Sequence, residues 1–541
     1  MTQPQISPSW LLVALIGAAL LLSLSGARAQ DAAPYISRDA QGTQRLDLQK
    51  MVNDAIAAGR QTVTIPAGTF HLTTRGVAIN NAHDLTLQGA GSEQTVLLNG
   101  MFDGTAISAG QCRRLTLRGF SLDRDRVPYV QATITAITDL GPDQIAMDFH
   151  VHEGYPTLTD RVLGGLGGCV EFFDQHTRLR QPHDHWFDPH GGKNVLRVDG
   201  THGRLLVGAR WKTHVAVGDY VVLPCIGEGG GGVVLVGDDT VRLEDVTVLA
   251  SPSLAFAAPF LTGDNYFRYT VKRGPTPAGA TEPRLLATDA DGMQYFWCSG
   301  TVTFDRCDVG FTGDDGLHLS IPGNPRVSQV LSPTRFVATM PTDKWTAQSL
   351  QAGSAPGDVV RLERFGTYQP LGDVQLKSLS FDGFKNPQVP SEASFTVEVQ
   401  AAPTEPFAVG DLVVLRKFLP EHFTIRNCNL HDNRARGLLI MGSNGVIENN
   451  VIERTALAGI ELCHEGSAAD WVSDLVIRHN TVRDTCGNWA DLEVAAGAIM
   501  VFNNPVTYPG AAGQFYPWLA YHHHISIVGN TIDGCDAAAI L

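Results

Sequence analysis

The chain has 541 residues, 56 of them Gly, with 18% charged residues and a formal net charge of −15. That acidity argues against nucleic acid or an anionic membrane as a partner, and a Gly-rich, weakly charged composition suits a β-rich, turn-rich secreted protein. Nine Cys with no CxxC pair and no His/Cys zinc spacing exclude a compact disulfide framework and a structural zinc site.

In chain order, an apolar run from Trp10 to Leu24 precedes Ala27-Arg28-Ala29. It reads as a signal peptide over residues 1–29, although residues 1–9 carry no Lys or Arg. The run is too short to span a bilayer, so a periplasmic or extracellular protein with no membrane contact after cleavage is expected. Residues 46–58 place Leu46, Leu48, Met51, Val52 and Ile56 at helical spacing before Gly59, which predicts a short helix capping the first coil of a repeat protein. Val63 to Thr73 then alternates as a strand around a Pro-Ala-Gly turn.

Repeats follow. Leu85–Gly89 and Leu115–Gly119 read LTLQG and LTLRG, and related rungs run Val241–Val248, Val302–Val309, Phe423–Leu430, Gly445–Ile452, Leu475–Val482 and Ser526–Ile532. Cys428 to Asn450 is 22 residues and Asn450 to Asn480 is 30. Such periods predict an all-β fold, a right-handed parallel β-helix. Asn450, Asn480 and Asn530 hold one repeat position and predict an asparagine ladder; Cys307 and Cys428 hold its equivalent and predict stacked buried thiols.

Two stretches interrupt the coils, and both carry an Ala-Val-Gly-Asp turn feeding an apolar strand, Ala216–Leu223 and Ala408–Leu415. Each is expected to form a small antiparallel β-barrel or sandwich looped out of the helix. Gly227–Gly232 (GEGGGG) is read as a flexible return, since it lacks the Lys and strand-turn-helix context of a phosphate loop. The resulting division is 1–29 signal, 30–122 cap and first coils, 123–235 first insertion, 236–321 coils, 322–420 second insertion and 421–541 last coils.

Asp291 and the pair Asp314-Asp315 are separated by 23 residues, close to one coil, with the strand-like Thr301–Val309 between them. Stacked coils lie about 4.8 Å apart, so the three carboxyls are expected on one wall. Inverting glycoside hydrolysis needs a protonated carboxyl at the leaving oxygen and an ionised one activating water on the opposite face. Asp291 and Asp315 are assigned to the water and Asp314 to the acid, although spacing leaves the division between Asp314 and Asp315 open. The bland alternative is an acidic turn, common in solenoids. Candidate sugar contacts are His318, Arg434, Arg436, Glu461, His464 and Trp471. Wall, turn-capping and edge-covering roles compete for the same residues. His522-His523-His524 is read as loop rather than metal site. No metal or cofactor is expected.

The motifs Asp291-Gly292 to Asp314-Asp315-Gly316, Asn433 to Ile440 leading into Ile447–Asn450, and Asp470-Trp471 ahead of Val476–Asn480 resemble glycoside hydrolase family 110. The resemblance covers most of the mature chain. It implies a β-helix with inserted barrels, exo-acting inverting α-1,3-galactosidase activity, and catalytic acids at Asp291, Asp314 and Asp315. Two places depart from that family. Leu317-His318-Leu319-Ser320 stands where it tends to carry Thr-Asn-Val-His, and Val472-Ser473-Asp474 where it carries Glu-Ser-Gly.

Polygalacturonases of family 28 look similar at Gly313-Asp314-Asp315. A polysaccharide lyase or epimerase that places Ca²⁺ at the acids, and a non-catalytic glycan-binding surface protein, are the other classes. The partner expected in every case is a carbohydrate. Leu541 falls in mid-coil, which leaves a homo-oligomer open.

Overall fold

The computed structural model describes residues 32–541 apart from 101–103, 167–169, 182–193, 226–229, 386–391, 466–470, 488–496 and 505–521. The signal-peptide stretch, Cys169, Asp470 and the first residues of the GEGGGG return lie outside the described residues.

Stacked parallel strands form a right-handed β-helix. Among the described residues, ten strands make one face, running in space from Val77–Asn80 through Met293–Phe296, Leu317–Ser320, Leu438–Ile440 and Ile460–Glu465 to Ala538–Ile540. The other faces merge into a 19-stranded sheet, because long strands such as Arg113–Arg124 and Asp239–Val248 run through a corner without a break. The rungs turn apolar residues inward, and Leu117, Leu243, Phe267, Phe304, Ile425, Ile447 and Ile477 stack in a continuous core. Corners turn on left-handed residues at repeated positions: Arg306, Asn427, Asn449 and His479 all have φ of 55–56°. Asn tolerates that region better than most residues do, which is why Asn recurs there.

The predicted ladder forms. Asn480 accepts from the backbone and side-chain amides of Asn450 at 3.0 and 2.9 Å, and Asn530 does the same for Asn480 at 2.9 Å each. Asn450 in turn accepts from the Cys428 amide at 2.9 Å. Cys307 and Cys428 continue the column as buried thiols, and no disulfide is formed among the described residues. The capping helix spans Leu48–Ala57, its first turn held by Asp47 accepting from Lys50 N–H at 3.1 Å. It buries Leu48, Met51, Val52 and Ala55 against the first coil. Leu46, read as helical, instead ends the strand Gln44–Leu46 and pairs beside Leu72.

Both interruptions are separate β units. The second, Arg326 to Leu415, is a closed six-stranded barrel. The first corrects the expected barrel. Among the described residues it is a six-stranded antiparallel sheet whose two end strands are not bonded to each other, and it runs from Tyr129 to Pro224, since the strand before it continues to Arg124 and the coils resume at Val233. The shared Gly-Asp turn has one physical basis. Asp219 and Asp411 are each 3% exposed and accept from the amide three residues back, Ala216 at 2.9 Å and Ala408 at 2.7 Å. No helix among the described residues is long and apolar enough to cross a membrane.

Candidate active site

The site is built on the ten-stranded face. Met293 pairs with Leu317, Leu317 with Leu438, and Leu438 with Ile460, so the residues just before these strands stack coil on coil. Those residues are Gly292, Gly316, Gly437 and Gly459. A side chain has no room there: a Cβ on Gly292 would sit 2.5 Å from the Gly316 carbonyl, and one on Gly316 2.7 Å from the Gly437 carbonyl. One residue earlier comes a second column, Asp291, Asp315, Arg436 and Ala458. The sequence register therefore places two carboxylates and a guanidinium on three successive coils.

Asp291 and Asp315 are each 3% exposed. Asp291, Asp315 and His318 bring donor atoms within 4.8 Å of one another, and His318 Nδ1 stands 3.4 Å from Asp291 Oδ2. Among the described residues, that buried oxygen of Asp291 accepts no hydrogen bond. The grouping is the right size for a water or a divalent ion. Arg436 donates its backbone N–H to Asp315 Oδ1 at 2.8 Å, with its guanidinium 3.7 Å from the same oxygen. Burial pushes the Asp315 carboxyl up to about 7; Arg436 opposes the rise, and Asp314 and Asp291 reinforce it because a neighbouring negative charge disfavours ionisation.

Asp314 reaches the same region although neighbours on a strand diverge, because it precedes the strand and lies in the corner between Gly313 and Gly316. Its side chain is 28% exposed, far more than that of Asp291 or Asp315, and lies 3.5 Å from Arg434 Nη2. Burial raises its pKa, with Arg434 the main opposing influence and Asp291 adding to the rise. Arg434 is 1% exposed and donates Nε to the Gly313 carbonyl. The Thr312 hydroxyl shares its proton between Asn433 Oδ1 and the Asp314 carbonyl, both at 2.8 Å. Two buried side chains absent from the sequence-derived set, Thr312 and Asn433, thus shape the acidic corner; their position flanking Gly313-Asp314 and Arg434 was the available signal.

The remaining candidates divide. His318 is 16% exposed at its side chain and belongs to the acid cluster. Arg436 is 17% exposed and is oriented by Glu461, which accepts from its Nε at 2.8 Å. Glu461, 2% exposed, holds the arginine rather than facing solvent. His464 and Trp471 are corrections. They are 1% and 4% exposed and sit where the second barrel docks on the helix. His464 lies 3.6 Å from Glu363 of the barrel, its ring is 4.8 Å from Trp471 and 4.3 Å from Tyr368, and Trp471 Nε1 donates to the Tyr368 carbonyl at 2.9 Å. No sequence signal pointed to Glu363 or Tyr368, since both come from a strand and loop a hundred residues away in the chain. Outside the site, Asp474, His523 and His524 form an exposed group with donor atoms within 4.8 Å.

A profile of the right-handed beta helix region matches residues 414–532. The chain is 23% identical over 473 residues to alpha-1,3-galactosidase B of Bacteroides thetaiotaomicron, spanning 84% of this chain and 71% of that one. It is 21% identical over 432 residues to alpha-1,3-galactosidase A of Bacteroides fragilis, spanning 77% and 66%. Similar solved structures include the mannuronan C-5 epimerase AlgE4 A-module of Azotobacter vinelandii, with a TM-score of 0.34, 12% identity and 94% of each chain covered. Another is the family 28 exopolygalacturonase of Yersinia enterocolitica, with a TM-score of 0.38, 13% identity, and 90% of this chain and 63% of that one covered.

Proposed function

We propose that this protein is a secreted exo-acting glycoside hydrolase that inverts configuration and releases terminal α-1,3-linked galactose from a glycan. The observation that carries the proposal is the stacking of Asp291 beneath Asp315, with Asp314 at the more exposed edge of the same corner. The similarity to two alpha-1,3-galactosidases over most of the chain supports the choice of sugar and linkage.

The roles follow from exposure. A leaving group departs toward solvent, so the acid belongs at the open edge, and Asp314 fills that place. The attacking water belongs on the enclosed side, held by Asp291 and Asp315 with His318 beside them. Burial and neighbouring negative charge raise the carboxyl of Asp314, which favours the protonated form an acid needs, and push that of Asp315 up to about 7. Arg436, fixed by Glu461, limits the rise at Asp315. No metal enters this mechanism.

The test is anomer-resolved NMR of the first product from terminal α- and β-glycosides. Release of β-galactose from an α-1,3-galactoside is expected; retained configuration, or no release from any terminal glycoside, rejects the proposal. One observation favours a second reading: the Asp291, Asp315 and His318 donors are close enough for a divalent ion, as a uronate lyase or epimerase needs. That class yields an unsaturated, ultraviolet-absorbing product or an epimerised uronate, and a chelator stops it.

A further inference from the structure

We infer that Arg180, carried by the first insertion, is a positioning residue for the acidic corner. Its effect on turnover rests on the glycosidase reading; its effect on the corner does not.

Arg180 closes a tight hairpin on Glu171–Phe173, paired across from Phe173, with the turn capped by Asp174 accepting from the Thr177 amide at 2.7 Å. Its side chain is 8% exposed and that of Glu171 is 0% exposed. The guanidinium fork is used on both sides. Nε and Nη2 donate to Glu171 Oε2, while Nη1 donates to the Asp432 carbonyl at 2.8 Å and Nη2 to the Thr312 carbonyl at 3.0 Å. Its carbon centre lies 5.3 Å from the Phe173 ring centroid.

The Thr312 carbonyl also accepts from the Arg434 amide of the next coil at 3.2 Å, and both carbonyls lie where the acid-bearing corners begin. Thr312 immediately precedes Gly313-Asp314-Asp315, and Asp432 immediately precedes Asn433-Arg434-Ala435-Arg436. Phe311 and Asp432 are both left-handed, with φ of 60° and 55°, so the coil leaves regular sheet geometry where the acids begin. The corners are already tied by the Arg434 amide bonded to the Thr312 carbonyl and by the Ala435 amide, which donates to the Asp314 carbonyl at 3.3 Å. An arginine bonded to the Thr312 and Asp432 carbonyls braces that spacing, and hence Asp314 against Arg434 and Asp315 against Arg436. A shift of about 1 Å in such a constellation costs on the order of 100-fold in rate. A lysine offers a point charge instead of a fork and cannot reproduce both contacts with the Glu171 pair. The insertion is thereby part of the site through Arg180.

The experiment compares wild type with Arg180→Lys, Arg180→Met and the double variant Arg180→Met, Glu171→Gln. The double variant leaves no unpaired buried charge, so it stays testable if the single one does not fold. Hydrogen–deuterium exchange is read on peptides holding Thr312–Gly316 and Asp432–Gly437. Turnover is measured on the substrate found in the NMR screen, with and without added guanidinium. The expected result is faster exchange confined to those peptides, kcat lower by about 10- to 100-fold with KM changed less than about 3-fold, and partial recovery with guanidinium. Unchanged exchange overturns the inference whatever the activity, as does a loss seen in KM alone or full turnover in Arg180→Met. A wild type inactive on every galactoside rejects the galactosidase reading, and the exchange measurement then decides the role of Arg180 by itself.

Discussion

Asp315 stands directly over Asp291, one coil higher: the Gly292 amide donates to the Asp315 carbonyl at 2.9 Å, and Met293 beside it pairs with Leu317. Glycine at 292 and 316 lets the two corners approach closely enough to hold both carboxyls in one enclosed space. The chemistry proposed for the protein, and most of its expected behaviour on mutation, follows from this pair and from the more open Asp314 beside it.

Asn at each acid separates the roles. Asp314→Asn is expected to lower kcat by about 10²- to 10⁴-fold on a natural disaccharide and much less on an aryl galactoside whose leaving group needs no proton. Asp291→Asn and Asp315→Asn lose comparable activity on both substrates, because the water is needed either way. Steady-state kinetics on the two substrates measure this; equal losses for Asp314→Asn on both would move the acid elsewhere.

The pH profile carries a second expectation. Asp315 acts ionised and its carboxyl is pushed up to about 7, so kcat/KM should rise with pH through about 7. Asp291 contributes to that rise in pKa, so in Asp291→Asn the acid limb of the residual activity moves to lower pH. An acid limb left in place, or moved to higher pH, contradicts the electrostatic coupling of the pair.

Stability should trade against activity at Asp315. Its folded pKa lies above the ordinary value of 3.8, so the carboxyl costs nothing while protonated, and destabilises the fold as pH rises from about 4 through about 7. Asp315→Asn keeps an acceptor for the Arg436 amide and removes the charge. It is expected to be more stable than wild type at pH 8, by on the order of a few kcal/mol, with the gain shrinking toward pH 4. Thermal melts across that range decide it; a variant less stable at pH 8 refutes the burial cost.

Trp471 tests the correction at the barrel interface. Truncation to Ala removes the contacts to His464 and Tyr368 and should cost about 3–5 kcal/mol of stability. KM of the folded fraction is expected to stay within about 2-fold, since the ring faces the barrel. A large rise in KM with an unchanged melt would return Trp471 to the sugar site.

The coil fold, the asparagine ladder, the second insertion and the stacking of the acids were legible in one dimension. A β-helix repeats its packing locally, so equal positions in successive rungs meet in space, and counting residues from Asp291 to Asp315 or from Asn450 to Asn480 is already a statement about neighbours. That logic stops at contacts between coils and insertions. Glu363 and Tyr368 bury His464 and Trp471, and Arg180 reaches Thr312 and Asp432, across chain separations that no period links. Those contacts depend on how a barrel and a sheet dock against the helix, which is set by surface fit between folded units, and so the difference between a sugar-facing tryptophan and a buried one appears only once those units are in place.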